Sequence, residues 1–263
     1  MPLSLWRLSW REWRHHPWRH GMALLAVALG VALAWSVHLI NASALAEFSS
    51  AVRAANGEPD LSLRSPGGSF DDAWFDTLAT TPGVAVATPL LEIDTLARGV
   101  ALDEPLTLKL LGIDALSIAP IAPTLLPRPA AGAGNFAALD PDALFINARA
   151  RELLRLADGD TVSLRSGPRW LRLRVAGSIA APGPALSVMD IAGAQSHFGL
   201  EGRLTRIDVR LRSGVSSDRL LDTLALPSGV AAVAADDAEQ RLSNLSRAYR
   251  VNLTVLALVA LFV

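Results

Sequence analysis

The sequence predicts an α+β extracytoplasmic domain on a transmembrane helical anchor with two helical stalks. Three observations predict this fold class. The stretch 20–46 (HGMALLAVALGVALAWSVHLINASALA) carries no Asp, Glu, Lys or Arg. From Asp60 the apolar pattern changes from helical spacing to a period of two, with short helical segments between the strands. From Asp236 to Val263 neither proline nor glycine interrupts a second helical pattern.

The charge-free stretch predicts a membrane-spanning helix at residues 21–42. About 20 apolar residues, each rising about 1.5 Å, cross a hydrocarbon core about 30 Å thick. A secretory signal peptide is the competing interpretation, but its apolar region has about 7–15 residues. The longer run here, with only a weak cleavage site at 42–44, favours an uncleaved anchor. His38 lies near the outer end of the span, where its side chain can reach the membrane interface. We therefore favour a tolerated histidine at the membrane boundary over a proton-relay group.

Residues 1–20 form an arginine- and tryptophan-bearing segment before the anchor. They carry four arginines and one glutamate, so the positive-inside rule keeps this end in the cytoplasm. Trp6, Trp10 and Trp13 recur every three or four residues on a different helical face from the arginines. This spacing predicts an amphipathic helix at the membrane interface. The alternative is a charged flank that only orients insertion.

Two helical stalks are predicted to connect the membrane with the domain. The first stalk covers 43–57 and carries Phe48 and Val52 on its apolar stripe. The second covers 236–250, and its stripe contains Leu242, Leu245 and Tyr249. We expect the two stripes to pair. Residues 251–263 are apolar and are predicted to be the start of a second span that is truncated here. A chain terminus inside the bilayer would leave backbone carbonyls unpaired, so we expect the chain to belong to a longer membrane protein.

The domain between the stalks, residues 58–235, mixes strands and helices without the regular alternation of a doubly wound sheet. Ser69 is predicted to cap the first helix and Asp190 to cap the helix that ends at Phe198. Thr88 and Pro89 are predicted to form a turn between two strands. The predicted strands are 60–65, 84–87, 90–97, 106–113, 143–146, 161–165, 170–179, 204–212 and 230–234, and the predicted helices are 70–78, 147–156, 190–198 and 218–226.

Residues 119–142 contain five prolines and two glycines, with too little periodicity for a packed element. We therefore predict a long surface loop. Long loops in compact domains are either functional or disordered, so both interpretations stay open. If the loop is functional, it is a candidate contact site for a partner.

Composition and motifs argue against several classes of function. The net charge of −1 indicates no nucleic-acid partner, and the absence of cysteine excludes disulfides and thiolate metal sites. No GxxxxGK[ST] motif occurs, and Lys109 is the only lysine, so the chain is not expected to be an ATPase. We predict no catalytic, cofactor-binding or metal-binding residue.

The rival class is an anchored extracytoplasmic enzyme. A Ser-His-Asp triad in the domain could use only His197, but no GxSxG surrounds a serine. Asp71, Asp72 and Asp76 suggest a metal site, yet on a helix they lie mostly on a solvated face. A third class is a membrane-anchored binding or sensor module without an ATPase.

Short motifs in a defined order resemble the FtsX-like permeases of ABC transporters, a superfamily that includes macrolide exporters and lipoprotein-releasing permeases. They cover nearly the whole chain. The motifs are DLSL at 60–63, TPGV at 81–84, LLGID at 110–114, ADGDT at 157–161, LRVAG at 173–177 and MDIAGAQSHFG at 189–199.

The resemblance implies a bacterial inner-membrane permease with a periplasmic core domain. In this family a separate cytoplasmic ABC ATPase binds ATP, and its dimerisation moves the spans while the stalks transmit that motion. The expected partners are therefore this ATPase, the membrane, and a second permease or a second internal repeat. A lipophilic molecule, a lipoprotein or a periplasmic protein is the expected substrate. No cofactor is expected in this chain itself.

Overall fold

The computed structural model describes residues 17–56, 59–99, 104–134, 136–224, 226 and 229–234. They belong to two compact units, one containing described residues 17–49 and the other containing described residues 50–234. The predicted interfacial tryptophans, the second stalk and the second span lie outside the described residues. The side chains of Phe48 and Val52 are likewise outside the description.

A single helix, α1 (Pro17–Asn56), supplies all the described residues of the first unit and covers residues 43–56 of the predicted first stalk. Proline is tolerated in the first turn of a helix, where its missing N–H has no intrahelical partner. The described apolar side chains between Met22 and Ile40 are exposed, from 43% for Val37 to 69% for Leu33. Among the described residues, no helix combines the length and hydropathy that crossing a membrane requires. The span at 21–42 therefore stays a prediction.

The second unit contains the strands and the shorter helices, and the predicted α+β class is confirmed for it. Its strands are β1 (Leu61–Arg64), β2 (Phe70–Asp71), β3 (Val84–Arg98), β4 (Leu106–Ile113), β5 (Arg128–Pro129), β6 (Ala143–Ile146), β7 (Thr161–Ser166), β8 (Arg169–Ser178), β9 (Leu186–Asp190), β10 (Arg203–Leu204), β11 (Arg206–Leu211) and β12 (Ala231–Ala234). Its helices are α2 (Ala73–Ala79), α3 (Ala148–Leu154), α4 (Ile191–Phe198) and α5 (Ser217–Thr223), with 3₁₀ turns at Pro123–Leu125 and Ala137–Leu139.

The main sheet has an open part and a closed part that share β3. In the open part the strand order is β12-β1-β11-β3, and all these neighbours are antiparallel. In the closed part, β3, β4, β9, β6, β8 and β7 pair in turn, and β7 returns to β3 to complete a six-stranded ring. The pairs β4–β9 and β6–β8 are parallel. A small ladder joins β2 and β10.

Three buried apolar clusters stabilise this arrangement. The first fills the ring with residues from all six of its strands, such as Leu110, Leu164 and Val175, together with residues of α3 and α4. The second lies on the outer side of β4, β6 and β9, where segment 114–140 covers them. The third packs the open sheet with residues of α2 and α5. Both faces of the shared region of β3 are therefore covered.

Two element predictions are wrong at the start of the domain. The predicted turn at Thr88 and Pro89 does not occur, because β3 continues through both residues. Pro89 is tolerated since it faces Ile207 of β11, while pairing with β4 begins only at Leu90. Ser69 does not cap a helix, because residues 70–71 pair with β10 and α2 begins at Ala73 after Asp72.

The prediction of an unpacked loop at 119–142 is also wrong for the described residues. Two 3₁₀ turns and β5 form within this segment, and Ile121, Ala122, Leu125 and Ala137 are buried. These buried residues are spaced irregularly along the segment, which is why the sequence pattern did not reveal their packing. β9 was not predicted from the sequence. Its residues 186–189 are buried, and it ends at Asp190, the correctly predicted N-cap of α4.

Candidate functional site

The most heavily charged buried site is a group of side chains at the shared region of β3. We call it the junction cluster, and it consists of Ser62, Glu92, Lys109, Arg206 and Asp208. Register places Arg206 opposite Leu90, and Leu90 also faces β4, so the cluster lies where β3 changes partners. Arg206 and Asp208 are 1% and 0% exposed. Charged groups are almost never buried to this extent unless they are paired.

The contacts of the junction cluster connect four strands. The Arg206 Nη1 atom lies 2.8 Å from Glu92 Oε1, and its Nε atom lies 3.0 Å from Asp208 Oδ2. The second contact is an ion pair rather than an aligned hydrogen bond. Ser62 Oγ donates to Asp208 Oδ1 at 2.6 Å, and Lys109 Nζ donates to Glu92 Oε2 at 3.3 Å. Strands β1, β3, β4 and β11 are therefore joined by side chains as well as by backbone hydrogen bonds.

The two carboxylates of the cluster respond differently to the same guanidinium. Burial opposes ionisation of Glu92, but Arg206, Lys109 and Arg64 together hold its pKa below the ordinary value. For Asp208, burial is the dominant effect and raises its pKa, although Arg206 and the Ser62 hydroxyl act in the opposite direction. On β1, opposite Arg206, burial and the neighbouring Arg206 guanidinium lower the pKa of Arg64.

The chemistry of the junction cluster is that of positioning rather than catalysis. Its charged groups contact one another, and its one hydroxyl, Ser62 Oγ, donates to Asp208 and belongs to a residue that is only 6% exposed. The sequence analysis named none of these residues except Lys109, and that only as the single lysine. In residues 206–212 the even positions are polar, a pattern that normally indicates a solvent-facing side. The feature of the sequence that indicates burial is Asp208, an acidic residue that lies between Arg206 and Arg210 on the polar side of the strand.

His197, the histidine considered for a triad, lies in α4 and contacts the chain that precedes β6. Its Nε2 atom is 2.9 Å from Asp142 Oδ1 and 3.2 Å from the Pro141 carbonyl oxygen. Ser166 Oγ donates to the backbone carbonyl of His197 rather than to its ring. In the described part of the chain, the structure thus brings an aspartate but no serine hydroxyl to the imidazole.

The three aspartates considered as metal ligands have local structural contacts. Asp71 Oδ1 accepts a hydrogen bond from the Ala73 amide at 2.9 Å, and Asp72 Oδ2 accepts one from Gln195 Nε2 at 3.4 Å. The described residues contain no group of three or more His, Cys, Asp or Glu side chains that could hold a metal ion. Asp76 is exposed in α2.

Two surface features could contact other molecules. A cleft of about 360 Å³ lies beside the turn after β1 and includes Ser69, Trp74 and Arg203 in its lining. The Arg203 guanidinium is already engaged, since its Nη2 donates to the Ser69 carbonyl at 2.6 Å. Segment 114–140 exposes Leu116 and Phe136 at 82% and 78%. Partner contact through residues 119–142 stays a prediction.

Comparisons with known proteins give one extended sequence similarity. No family model matches the chain. The chain is 26% identical over 272 residues to an uncharacterized ABC transporter permease protein of Mycobacterium tuberculosis. The similarity covers 98% of the chain and 30% of the relative, so the chain spans under a third of the length of the curated relative it matches.

Two domains of ABC transporters are among the solved structures to which the chain shows similarity. The extracellular domain of the noncanonic ABC-type transporter YknZ from Gram-positive bacteria has a TM-score of 0.49 and 16% identity, covering 66% of this chain and 98% of that domain. The periplasmic region of MacB from Actinobacillus actinomycetemcomitans has a TM-score of 0.49 and 13% identity, covering 72% of this chain and 95% of that region.

Proposed function

We propose that this protein, which is similar to an ABC transporter permease as the motifs predicted, is part of a permease subunit. In this role it couples ATP hydrolysis by a separate cytoplasmic ATPase to movement of a substrate outside the membrane. The observation that carries the proposal is the similarity to a permease over 98% of the chain. The chain itself supplies no enzymatic step in this proposal.

The continuity of α1 supports the mechanical part of the proposal. The helix runs without interruption from Pro17 to Asn56, and β1 begins at Leu61. A continuous helix transmits axial displacement better than a flexible linker does, because its backbone hydrogen bonds resist bending. β1 pairs on both edges, with β11 and β12, and the junction cluster ties it through β11 to β3. Displacement of β1 is therefore passed to the ring.

The remaining parts of the proposal follow from the family resemblance. The protein lies in a bacterial inner membrane with residues 1–20 in the cytoplasm and residues 58–235 outside it. It works as a dimer of permeases or with a second internal repeat. The substrate is a lipophilic molecule or a lipoprotein. ATP binds only to the partner ATPase.

The test of coupling uses the full-length native protein, reconstituted with its ATPase. Phe48→Asp combined with Leu245→Asp places two charges on the stripes predicted to pair. We expect ATPase binding to persist while substrate movement is lost. Arg53→Asp combined with Arg247→Asp adds the same acidic groups outside those stripes and should leave movement near the wild-type rate.

Two results would contradict the proposal in different ways. Unchanged substrate movement in the Phe48→Asp, Leu245→Asp variant would refute transmission through paired stalks. Failure of the wild-type protein to bind any ATPase would refute the permease role itself. The second result would favour a membrane-anchored binding or sensor module.

A further inference from the structure

The outer surface of the ring carries a group of arginines around one tryptophan, which we call the arginine face. The ring interior takes Leu164 and Leu173, so the alternate residues of β7 and β8 point outward. Arg98, Arg165, Arg172 and Arg174 are exposed, and Trp170 is half-buried. On β4, β6 and β9 the outer surface is covered by segment 114–140, whereas the arginines of the arginine face are exposed, apart from the contact of Arg174 with Asp140 of that segment.

Strand register brings these side chains together. Arg165 faces Trp170 across β7 and β8, and Ser163 faces both Arg98 of β3 and Arg172 of β8. Adjacent strands lie about 4.8 Å apart, so Arg98 and Arg172 begin about 10 Å apart with the small Ser163 between them. The guanidinium carbon of Arg98 lies 4.2 Å from the centre of the Trp170 ring.

Most of this positive charge is not neutralised within the described residues. Their ion pairs include Arg174, whose Nη2 lies 3.1 Å from Asp140 Oδ2, but none with a carboxylate for Arg98, Arg165 or Arg172. By contrast, Arg149, Arg151 and Arg206 are all paired with carboxylates. The chain as a whole has a net charge of −1, so the arginine face is a local excess of positive charge.

We propose that the arginine face binds the phosphodiester headgroups of anionic phospholipids. Guanidinium groups present paired N–H donors that match phosphate oxygens, and stacking on Trp170 holds Arg98 on the outer surface before binding. An indole next to cations is typical of side chains at the headgroup level of a membrane. This binding goes beyond the proposed function, because it requires neither an ATPase nor transport.

The test uses the full chain in detergent, with one fluorescent reporter on the arginine face. The sequence contains no cysteine, so Thr161→Cys can be labelled at a single exposed site opposite Arg174. The reporter is followed while water-soluble dihexanoyl-phosphatidylglycerol is added. Dihexanoyl-phosphatidylcholine, inorganic phosphate and a polyglutamate peptide are added in parallel samples.

We expect a saturable change with the phosphatidylglycerol and little change with the other three. Arg98→Gln combined with Arg172→Gln should weaken this binding about tenfold or more. Arg128→Gln combined with Arg149→Gln removes the same charge from exposed sites elsewhere and should leave the affinity unchanged. Circular dichroism of both double variants should match that of the unsubstituted chain.

Three outcomes would overturn the proposal. Equal affinity for the two lipids would show that the headgroup charge is not recognised. Equal affinity in the two double variants would place the lipid elsewhere on the chain. Tighter binding of polyglutamate than of phosphatidylglycerol would identify the face as a contact for an acidic protein segment.

Discussion

Glu92 and Asp208 contact the same guanidinium, yet their pKa values move in opposite directions. The difference arises from exposure, because the Glu92 side chain is 23% exposed and is reached by Lys109 and Arg64 as well. The Asp208 side chain is 1% exposed, so the loss of hydration outweighs its favourable contacts. At the residue scale, the junction cluster is thus held together chiefly by ionised Glu92 and Arg206.

Replacement of Glu92 by glutamine should reveal this contribution through its pH dependence. The folded pKa of Glu92 lies below its ordinary value of 4.5, so its stabilisation is complete above that pH. It is lost as the pH falls through the folded pKa, because the unfolded chain then binds the proton more tightly. We expect Glu92→Gln to reduce the free energy of unfolding by about 1.5–3 kcal/mol near neutral pH.

The measurement is urea unfolding of the full chain in detergent, monitored through the ¹⁹F signal of fluorotryptophan at Trp74. Burial raises the pKa of Asp208, which gives the opposite slope above its ordinary value of 3.8, but Asp208 is present in both proteins. Its effect therefore largely cancels in their difference. A difference that stayed constant from neutral pH to well below 4.5 would contradict the assigned role of Glu92.

Local sequence rules predicted residues whose roles depend only on neighbours in the chain. Asp190 accepts hydrogen bonds from the amides of Ala192 and Gly193, which is the capping geometry expected for the helix that follows. Arg206 and Asp208 could not be assigned in this way. Their burial depends on Ser62 and Glu92, which are more than a hundred residues away in the sequence.

At the element scale, β3 was predicted as two strands because Thr88 and Pro89 resemble a turn. A proline disrupts a strand only where a neighbouring strand needs the missing N–H as a hydrogen-bond donor. Whether it is needed depends on which strands pair at that residue. The segment after β4 illustrates the same limit. Its burial follows from the curved outer surface of β4, β6 and β9, which local periodicity does not encode.

At Gly177 in β8 the segment after β4 lies very close to the backbone of the ring. A Cβ atom there would lie 2.1 Å from the Arg128 carbonyl oxygen and 2.9 Å from the Ala130 amide nitrogen. We expect Gly177→Ala to displace β5 and to reduce the free energy of unfolding by about 1–3 kcal/mol. Amide hydrogen exchange should accelerate at Ala130 and Ala180, whose N–H groups bond to Ala176 and Thr124.

Gly67→Ala is the matched control for this substitution. Its added Cβ would meet only Ser65 Oγ, at 3.7 Å, and its backbone is not in the left-handed region. The control should leave exchange at Ala130 and Ala180 unchanged. If Gly177→Ala behaved in the same way, the close packing of β5 on β8 would not be important for the stability of segment 114–140.

At the scale of the whole second unit, the open sheet and the ring share one continuous strand and one buried ionic cluster. Two tryptophans report on the two parts. Trp74 packs against the core of the open sheet, and Trp170 lies on the outer surface of the ring. Because β3 belongs to both parts, neither can lose it without disrupting the other. We therefore expect both ¹⁹F signals to lose their native positions at the same urea concentration.

Arg206→Met tests whether the junction cluster couples these two parts. Removal of the guanidinium leaves Glu92 and Asp208 without their shared cation, a change that costs about 3–5 kcal/mol at buried sites. We expect both midpoints to fall by the same amount. Arg149→Met removes an arginine from an exposed pair with Glu152 and should change either midpoint little. A lower midpoint at Trp74 alone would show that the ring unfolds independently of the open sheet. The junction cluster would then not connect the two parts rigidly, and the proposed transmission of displacement from β1 to the ring would be contradicted.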